Sequence, residues 1–156
     1  MSDEKKLAII ATKGSLDWAY PPFILASTAA ALGYETQIFF TFYGLVLLKK
    51  KLNLQVTSLG NPAMPMPMPV PVIIQTMPGM QAMMSNMMKA KMKKKGVASV
   101  EELRDLCLEA DVKMVACQMT VDLFEFNTND FIDGIEYGGA ATFFEFAGQS
   151  DICLYI

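Results

Sequence analysis

The chain contains no histidine, which removes the commonest general base and the commonest metal ligand from any chemistry it performs. Cysteine is scarce as well: Cys107, Cys117 and Cys153 form an odd set with no CxxC spacing. Neither a disulfide scaffold nor a zinc site is suggested, so free thiols are expected, with no metal and no cofactor. Positive charge is not in surplus, with 13 Lys and Arg against 16 Asp and Glu and a net charge of −3. No basic surface for a polyphosphate follows from that balance, and nucleic acid is set aside as a partner. The opening Met-Ser-Asp-Glu-Lys-Lys leads into only a short apolar run. The long apolar region and small-residue cleavage site of a secretory signal are missing, which points to a cytoplasmic chain.

What is present suits one α/β domain, since 156 residues with a 53% apolar composition can bury a proper core. Leu7–Ala11 is an apolar run short enough for a strand buried on both faces. Trp18 to Leu32 follows as a helix, with Pro21 and Pro22 expected in its first turn and Gly33 closing it. Glu35–Phe42 is rich in β-branched and aromatic residues and predicts a second strand. Tyr43 to Lys51 predicts a short amphipathic helix. Ser99 with Glu102 three residues on forms a capping box for a helix reaching about Ala110. Val112–Cys117 predicts a strand, Asn129-Asp130 a turn, Tyr137–Gly148 a last helix, and Asp151–Ile156 a final strand. Such alternation predicts a three-layer domain with a mostly parallel sheet of about five strands and helices on both faces.

Between Leu52 and Met88 there is no charged residue, and six of the eight prolines fall between Pro62 and Pro78. The stretch is long enough to span a bilayer core of roughly 30 Å. Pro65, Pro67, Pro69 and Pro71 argue against a spanning helix, because each would cost about 3 kcal/mol inside one. That piece is expected to be extended. From Gly79 onwards Met80, Met83, Met84, Met87 and Met88 recur at helical spacing as one apolar stripe. Lys89, Lys91, Lys93, Lys94 and Lys95 crowd the last turns, where the dipole favours cations, and Gly96 ends the helix. The apolar surface from 61 to 95 needs a cover: its own sheet, a second subunit, or a membrane surface with the lysines on anionic headgroups. Copper(I) held by Met64, Met66 and Met68 is a further idea, weakened by the lack of cysteine or histidine beside them.

Ligands of an open α/β sheet bind outside the carboxyl ends of its strands, and Cys117 stands at one of these ends. A helix starting at Gln118 and Met119 would aim amides at its sulfur, and Lys13 could add positive charge; either favours a thiolate. The competing reading is a small buried residue at a strand end. Cys107 shares one helix face with Leu103, Leu106 and Ala110 and is expected in the core, and Cys153 is expected to be a buried strand residue. Thr12–Asp17 contains glycine without the spacing of a phosphate-binding loop. It is either a solvated turn or a wall of the crevice, alongside Phe40, Phe42 and Tyr43. Gly138 and Gly139 are expected to let the last helix approach the sheet closely.

Phe39-Phe-Thr-Phe-Tyr-Gly-Leu45, Ala116-Cys-Gln-Met-Thr120 and Asp133-Gly-Ile-Glu-Tyr-Gly-Gly-Ala-Ala141 together resemble the DsrE/DsrF-like family. The likeness is to its branch with a Met- and Pro-rich insertion, here at about 60–95, before a lysine-rich helix, a branch also called peroxiredoxin-family or DsrE-like. The resemblance implies a flavodoxin-like fold, homo-oligomers, and carriage of sulfane sulfur as a cysteine persulfide exchanged with sulfurtransferases, TusA-type proteins included. The family's acceptor cysteine falls on Cys117. Lys13, Gly14, Tyr43, Gln118 and Met119 are the residues expected to hold the sulfur donor. A carrier needs no general base, because sulfur passes by thiolate attack on sulfur. The alternative is a non-catalytic oligomeric module whose Met-rich helix binds a membrane or a partner complex.

Overall fold

The computed structural model describes residues 4–57, 68 and 71–156. Five strands form one all-parallel sheet: β1 (Lys6–Ala11), β2 (Glu35–Phe40), β3 (Lys113–Cys117), β4 (Glu136–Gly138) and β5 (Ile152–Tyr155), in the order β4-β3-β2-β1-β5. The helices are α1 (Leu16–Ala31), α2 (Val72–Gln75), α3 (Met80–Lys94), α4 (Val100–Glu109), α5 (Gln118–Leu123) and α6 (Ala140–Ala147). A 3-10 segment, Phe42–Leu48, follows β2. The three-layer α/β architecture is the one expected.

Strand side chains alternate between two layers, as the two-residue period requires. Leu7, Ile9, Ile38, Phe40, Met114 and Ala116 share a buried cluster with Phe23 of α1 and with Val100 and Cys107 of α4. Ala8, Phe39, Val115 and Cys117 face the other way and pack with Phe143 of α6. Phe23 and Phe40, fully buried with ring centroids 6.0 Å apart, anchor the larger layer, and each such side chain stabilises by about 1.5–3 kcal/mol. The capping box forms as expected: the Glu102 amide donates to Ser99 Oγ at 3.1 Å and the Ser99 amide to Glu102 Oε2 at 2.8 Å.

Several boundaries differ from the sequence reading. Helix α1 starts at Leu16, so Pro21 and Pro22 fall in its second turn; Ser15, which no apolar period marks, holds the N-cap position. Strand β2 stops at Phe40, because Phe42 adopts φ 49° and turns the chain, and the predicted helix to Lys51 is the 3-10 segment. Tyr137 belongs to β4, not to the last helix. A three-residue edge strand is too short to show a period, and its pairing with β3 decides it. Cys153 is exposed, since β5 is an edge strand with residues open to solvent on both faces.

The methionine helix forms where its spacing placed it, yet its stripe splits. Met84 is buried and Met80 and Met88 pack against the core, whereas Met83 and Met87 are about half exposed, at 50% and 49%. Two polar contacts fix this choice of face. The Val56 amide donates to Ser85 Oγ at 2.9 Å, and Gln81 Nε2 donates to the Val56 carbonyl at 3.0 Å. The expected extended piece at Pro65, Pro67 and Pro69, and Met64 and Met66 of the copper idea, lie outside the described residues. Among the described residues no helix is long and apolar enough to cross a membrane.

Candidate functional site

Cys117 is the last residue of β3 and the N-cap of α5, so its sulfur meets both a strand end and the unpaired amides of a helix start. The side chain is 4% exposed and sits in the α6-facing layer. Directly beyond it the chain surfaces: Gln118 is exposed, with Nε2 donating to Asp122 Oδ1 at 2.8 Å, and Met119 is 62% exposed. The sulfur therefore lies one layer beneath the rim of the sheet.

Its surroundings explain its acidity. Burial on its own would push the thiol up, because charge is disfavoured away from water. Hydrogen bonds from the Thr120 hydroxyl and amide, the Thr41 hydroxyl and the Met119 amide outweigh that penalty, and the thiol is held below its ordinary value. Thr41 and Thr120 are themselves in register, with hydroxyl oxygens 3.3 Å apart, and the Phe42 amide donates to Thr120 Oγ1 at 3.2 Å. The turn at Phe42 thus belongs to the same cage. A left-handed φ in a bulky residue costs on the order of 1–3 kcal/mol and persists where neighbours hold it.

The other expected residues group elsewhere. Lys13, Gly14 and Tyr43 line a cavity of about 690 Å³ together with Trp18, Gln55 and Gln81, and Cys117, Gln118 and Met119 are not in its wall. The Lys13 ammonium lies 3.3 Å from the Trp18 ring centroid, a cation–π contact, and the groups that lower the Cys117 thiol are hydroxyls and amides. Gly14 is required by closeness: a Cβ there would collide with Val46 and with the Tyr43 carbonyl. Tyr43 joins the two regions, its ring stacked on Phe124 just past α5 at 5.8 Å. Of the aromatic wall, Phe40 is fully buried core, while Phe42 and Tyr43 are exposed. Gly138 pairs with Cys117 across the β3–β4 ladder, and a Cβ on it would meet the Thr142 side chain of α6 at 2.6 Å, the close helix approach expected there, whereas a Cβ on Gly139 would meet nothing within 4 Å, so the same expectation fails at Gly139.

Sequence reasoning missed Thr41 and Thr120. No local pattern ties two threonines 79 positions apart; the signals were that both lie in segments carrying the family likeness and that Thr41 follows a strand and Thr120 sits in the first turn of a helix, where hydroxyls meet free amides and sulfur.

Three comparisons bear on identity. A profile described as the DsrE/DsrF/DrsH-like family matches residues 3–155. The chain is 75% identical over 158 residues to "Sulfur carrier protein DsrE2" of Allochromatium vinosum, covering 99% of each. It is 31% identical to the uncharacterized protein YrkE of Bacillus subtilis, covering 97% of each. Among solved structures it superposes on the YchN protein of E. coli with a TM-score of 0.55, covering 97% of this chain and 99% of that one. At 11% identity that likeness speaks for the fold alone.

Proposed function

Since the chain belongs to the DsrE/DsrF/DrsH-like family, we propose that it is a sulfur carrier in which Cys117 accepts sulfane sulfur and hands it on. The observation that carries this reading is the hydroxyl and amide cage that lowers the Cys117 thiol in a chain without histidine. The name of the relative from Allochromatium vinosum supports the same role. In the uptake step the Cys117 thiolate attacks the outer sulfur of a donor persulfide. The donor's S–S bond breaks, its thiolate leaves, and Cys117 carries the sulfur as a persulfide. In the delivery step an acceptor thiolate attacks that outer sulfur and the Cys117 thiolate departs. Both steps exchange one S–S bond for another, with no net redox change and no cofactor.

A stabilised thiolate also makes a good leaving group, so one cage serves both steps. The added S–S bond is about 2.05 Å long, enough to carry the outer sulfur from beneath the rim toward Gln118 and Met119, which receive the donor. Of the remaining candidates Tyr43, stacked on Phe124 just past α5, borders this site, while Lys13 and Gly14 line the neighbouring cavity. Sulfurtransferases, TusA-type proteins among them, supply or take the sulfur, and the chain acts in the cytoplasm as a homo-oligomer. Incubation with polysulfide followed by intact-mass analysis tests the core of this. In a Cys153→Ser background, which removes the exposed second thiol, one or more sulfur atoms should appear on the protein and essentially none once Cys117→Ser is added; equal loading of both proteins overturns the assignment.

A second reading rests on a different surface. Val72, Ile73, Ile74, Met77, Met83 and Met87 are exposed on α2, the turn after it and the first half of α3, and the lysines follow in the last turns of α3. That pairing of apolar and cationic surface suits a membrane or a partner complex. Liposome flotation of the full chain and of a variant lacking 61–95 tests it, and unchanged flotation removes it.

A further inference from the structure

The loop after β1 and the turn after β2 meet backbone to backbone at two points, and a glycine stands at each. A Cβ on Gly44 would collide with the Ala11 carbonyl oxygen and come within 3.2 Å of the Thr12 nitrogen. A Cβ on Gly14 would collide with the Tyr43 carbonyl oxygen and with the Val46 side chain. Neither is among the glycines with a positive φ, so the constraint at both is space and not conformation.

The loop is the firmer partner. The Thr12 amide and hydroxyl both donate to the Ile156 carbonyl, at 2.9 and 3.0 Å, which ties the loop to the end of β5, and the Leu16 amide donates to the Gln55 carbonyl at 2.8 Å. The turn is the strained one. The Thr41 amide donates to the Ala11 carbonyl at 3.1 Å and the Gly44 amide to the Thr41 carbonyl at 3.0 Å, and between them Phe42 holds its φ of 49°, a conformation that persists only while its neighbours enforce it. An atom added between the two segments therefore displaces the turn. The Thr41 hydroxyl and the Phe42 amide move with it, and these are the two groups that meet Thr120 Oγ1, at 3.3 and 3.2 Å.

We infer that Gly14 and Gly44 are positioning residues for Cys117: by letting the loop after β1 close onto the turn after β2, they set where Thr41 and Phe42 stand and so hold Thr120 against the sulfur. The inference rests on the sulfur-carrier reading, in which that sulfur is the working atom, and adds the backbone contact that places the two threonines. It also gives Gly14 a part in the chemistry, although the cavity it lines does not include Cys117. Hydrogen bonds weaken steeply once distance and angle leave their optimum, so a small shift of the turn is enough to cost the thiolate part of its support.

The test uses the full chain with Cys153→Ser, so that the exposed second thiol is silent, and follows alkylation of Cys117 by iodoacetamide across pH. The midpoint of the rate–pH curve reports the acidity of the thiol, and the plateau above it reports access. Gly44→Ala should raise the midpoint by about half a pH unit or more, which slows the reaction about threefold well below it. Gly14→Ala should move the midpoint in the same direction, and it serves alone where Gly44→Ala does not fold. Gly33→Ala is the control for lost stability: it lies between α1 and β2, at the amino ends of the strands, with φ 85° and nothing within 4 Å of a Cβ. It should lower the melting temperature and leave the midpoint in place. Added to Thr41→Val/Thr120→Val, Gly44→Ala should move the midpoint no further, because the glycine acts only through those two side chains. Midpoints unmoved by the glycine variants that fold overturn the proposal, whatever happens to the melting temperature. So does a midpoint that moves as far in Gly33→Ala, or a Gly44→Ala or Gly14→Ala shift that persists in full without the threonines. The expected midpoint shifts with no sulfane loading on Cys117 sink the carrier reading and leave the positioning role standing.

Discussion

Cys107 and Cys117 are both buried, 0% and 4% exposed, yet their surroundings drive them in opposite directions. Cys107 lies between α1 and α4, its thiol 3.4 Å from the Phe23 carbonyl. Burial pushes it up to about 12, and the Ser27 amide offsets only part of that. Cys117 suffers the same penalty and overcomes it, because hydroxyls and amides of Thr120, Thr41 and Met119 converge on the sulfur. A helix–helix seam has spent its amides on its own ladders; a strand end that opens a helix has amides left over. Burial therefore says little about a thiol until the donors around it are counted.

The largest effect that could break this contrast is the fate of sulfur on the two residues. With the exposed Cys153 replaced by serine, Cys117→Ser should lose essentially all stable sulfane loading, whereas Cys107→Ser should retain it; loading that follows Cys107 would invert the comparison. Next, Thr120→Val removes a hydroxyl that donates to the sulfur and accepts from the Phe42 amide. Hydrogen bonds to a charged group are worth about 1.5–3 kcal/mol, so alkylation of Cys117 at neutral pH should slow by roughly tenfold or more. Rates measured against pH should show the midpoint moving up, and an unmoved midpoint would remove Thr120 from the cage. Thr41→Val, which leaves the Thr120 contacts in place, should give a smaller shift in the same direction.

Stability should separate the pair as well. The Cys107 thiol is neutral in the folded chain up to about pH 12, while in the unfolded chain it ionises near about 8.5. Its contribution is thus fully present below about pH 8.5 and is lost as pH rises toward 12, at about 1.4 kcal/mol per pH unit at most. Cys117, with its folded value lowered, runs the other way: its contribution is present above about pH 8.5 and is lost as pH falls through the folded value. Urea unfolding of Cys107→Ala between pH 8 and 11 should therefore show a shallower alkaline decline than the wild type. Parallel curves would mean that Cys107 is reached by water. The smallest expected effect is that of Cys153→Ala, which lies on the open edge strand and should change stability by no more than about 0.5 kcal/mol.

Much of this molecule was legible in the chain. Buried strands at Leu7–Ala11 and Val112–Cys117, the Ser99–Glu102 cap and the methionine helix all follow from short-range pattern, because their stabilisation is local or alternates with a fixed period. The family likeness was carried by three short segments around Cys117 and the ends of β2 and β4. Composition alone excluded histidine chemistry and left a thiol as the one obvious nucleophile.

Tertiary structure decided the rest, for reasons of distance. Which face of the methionine stripe turns inward depended on Ser85 and Gln81 meeting Val56, contacts between segments with no shared period. Cys153 became exposed because its strand closes the edge of the sheet, a fact of strand order that no local run encodes. The acidity of Cys117 required Thr41, just past β2, and Thr120 of α5 to arrive at one point in space. Residue types set which chemistry was available, and only the packing of the sheet ends could set the field at a single sulfur atom.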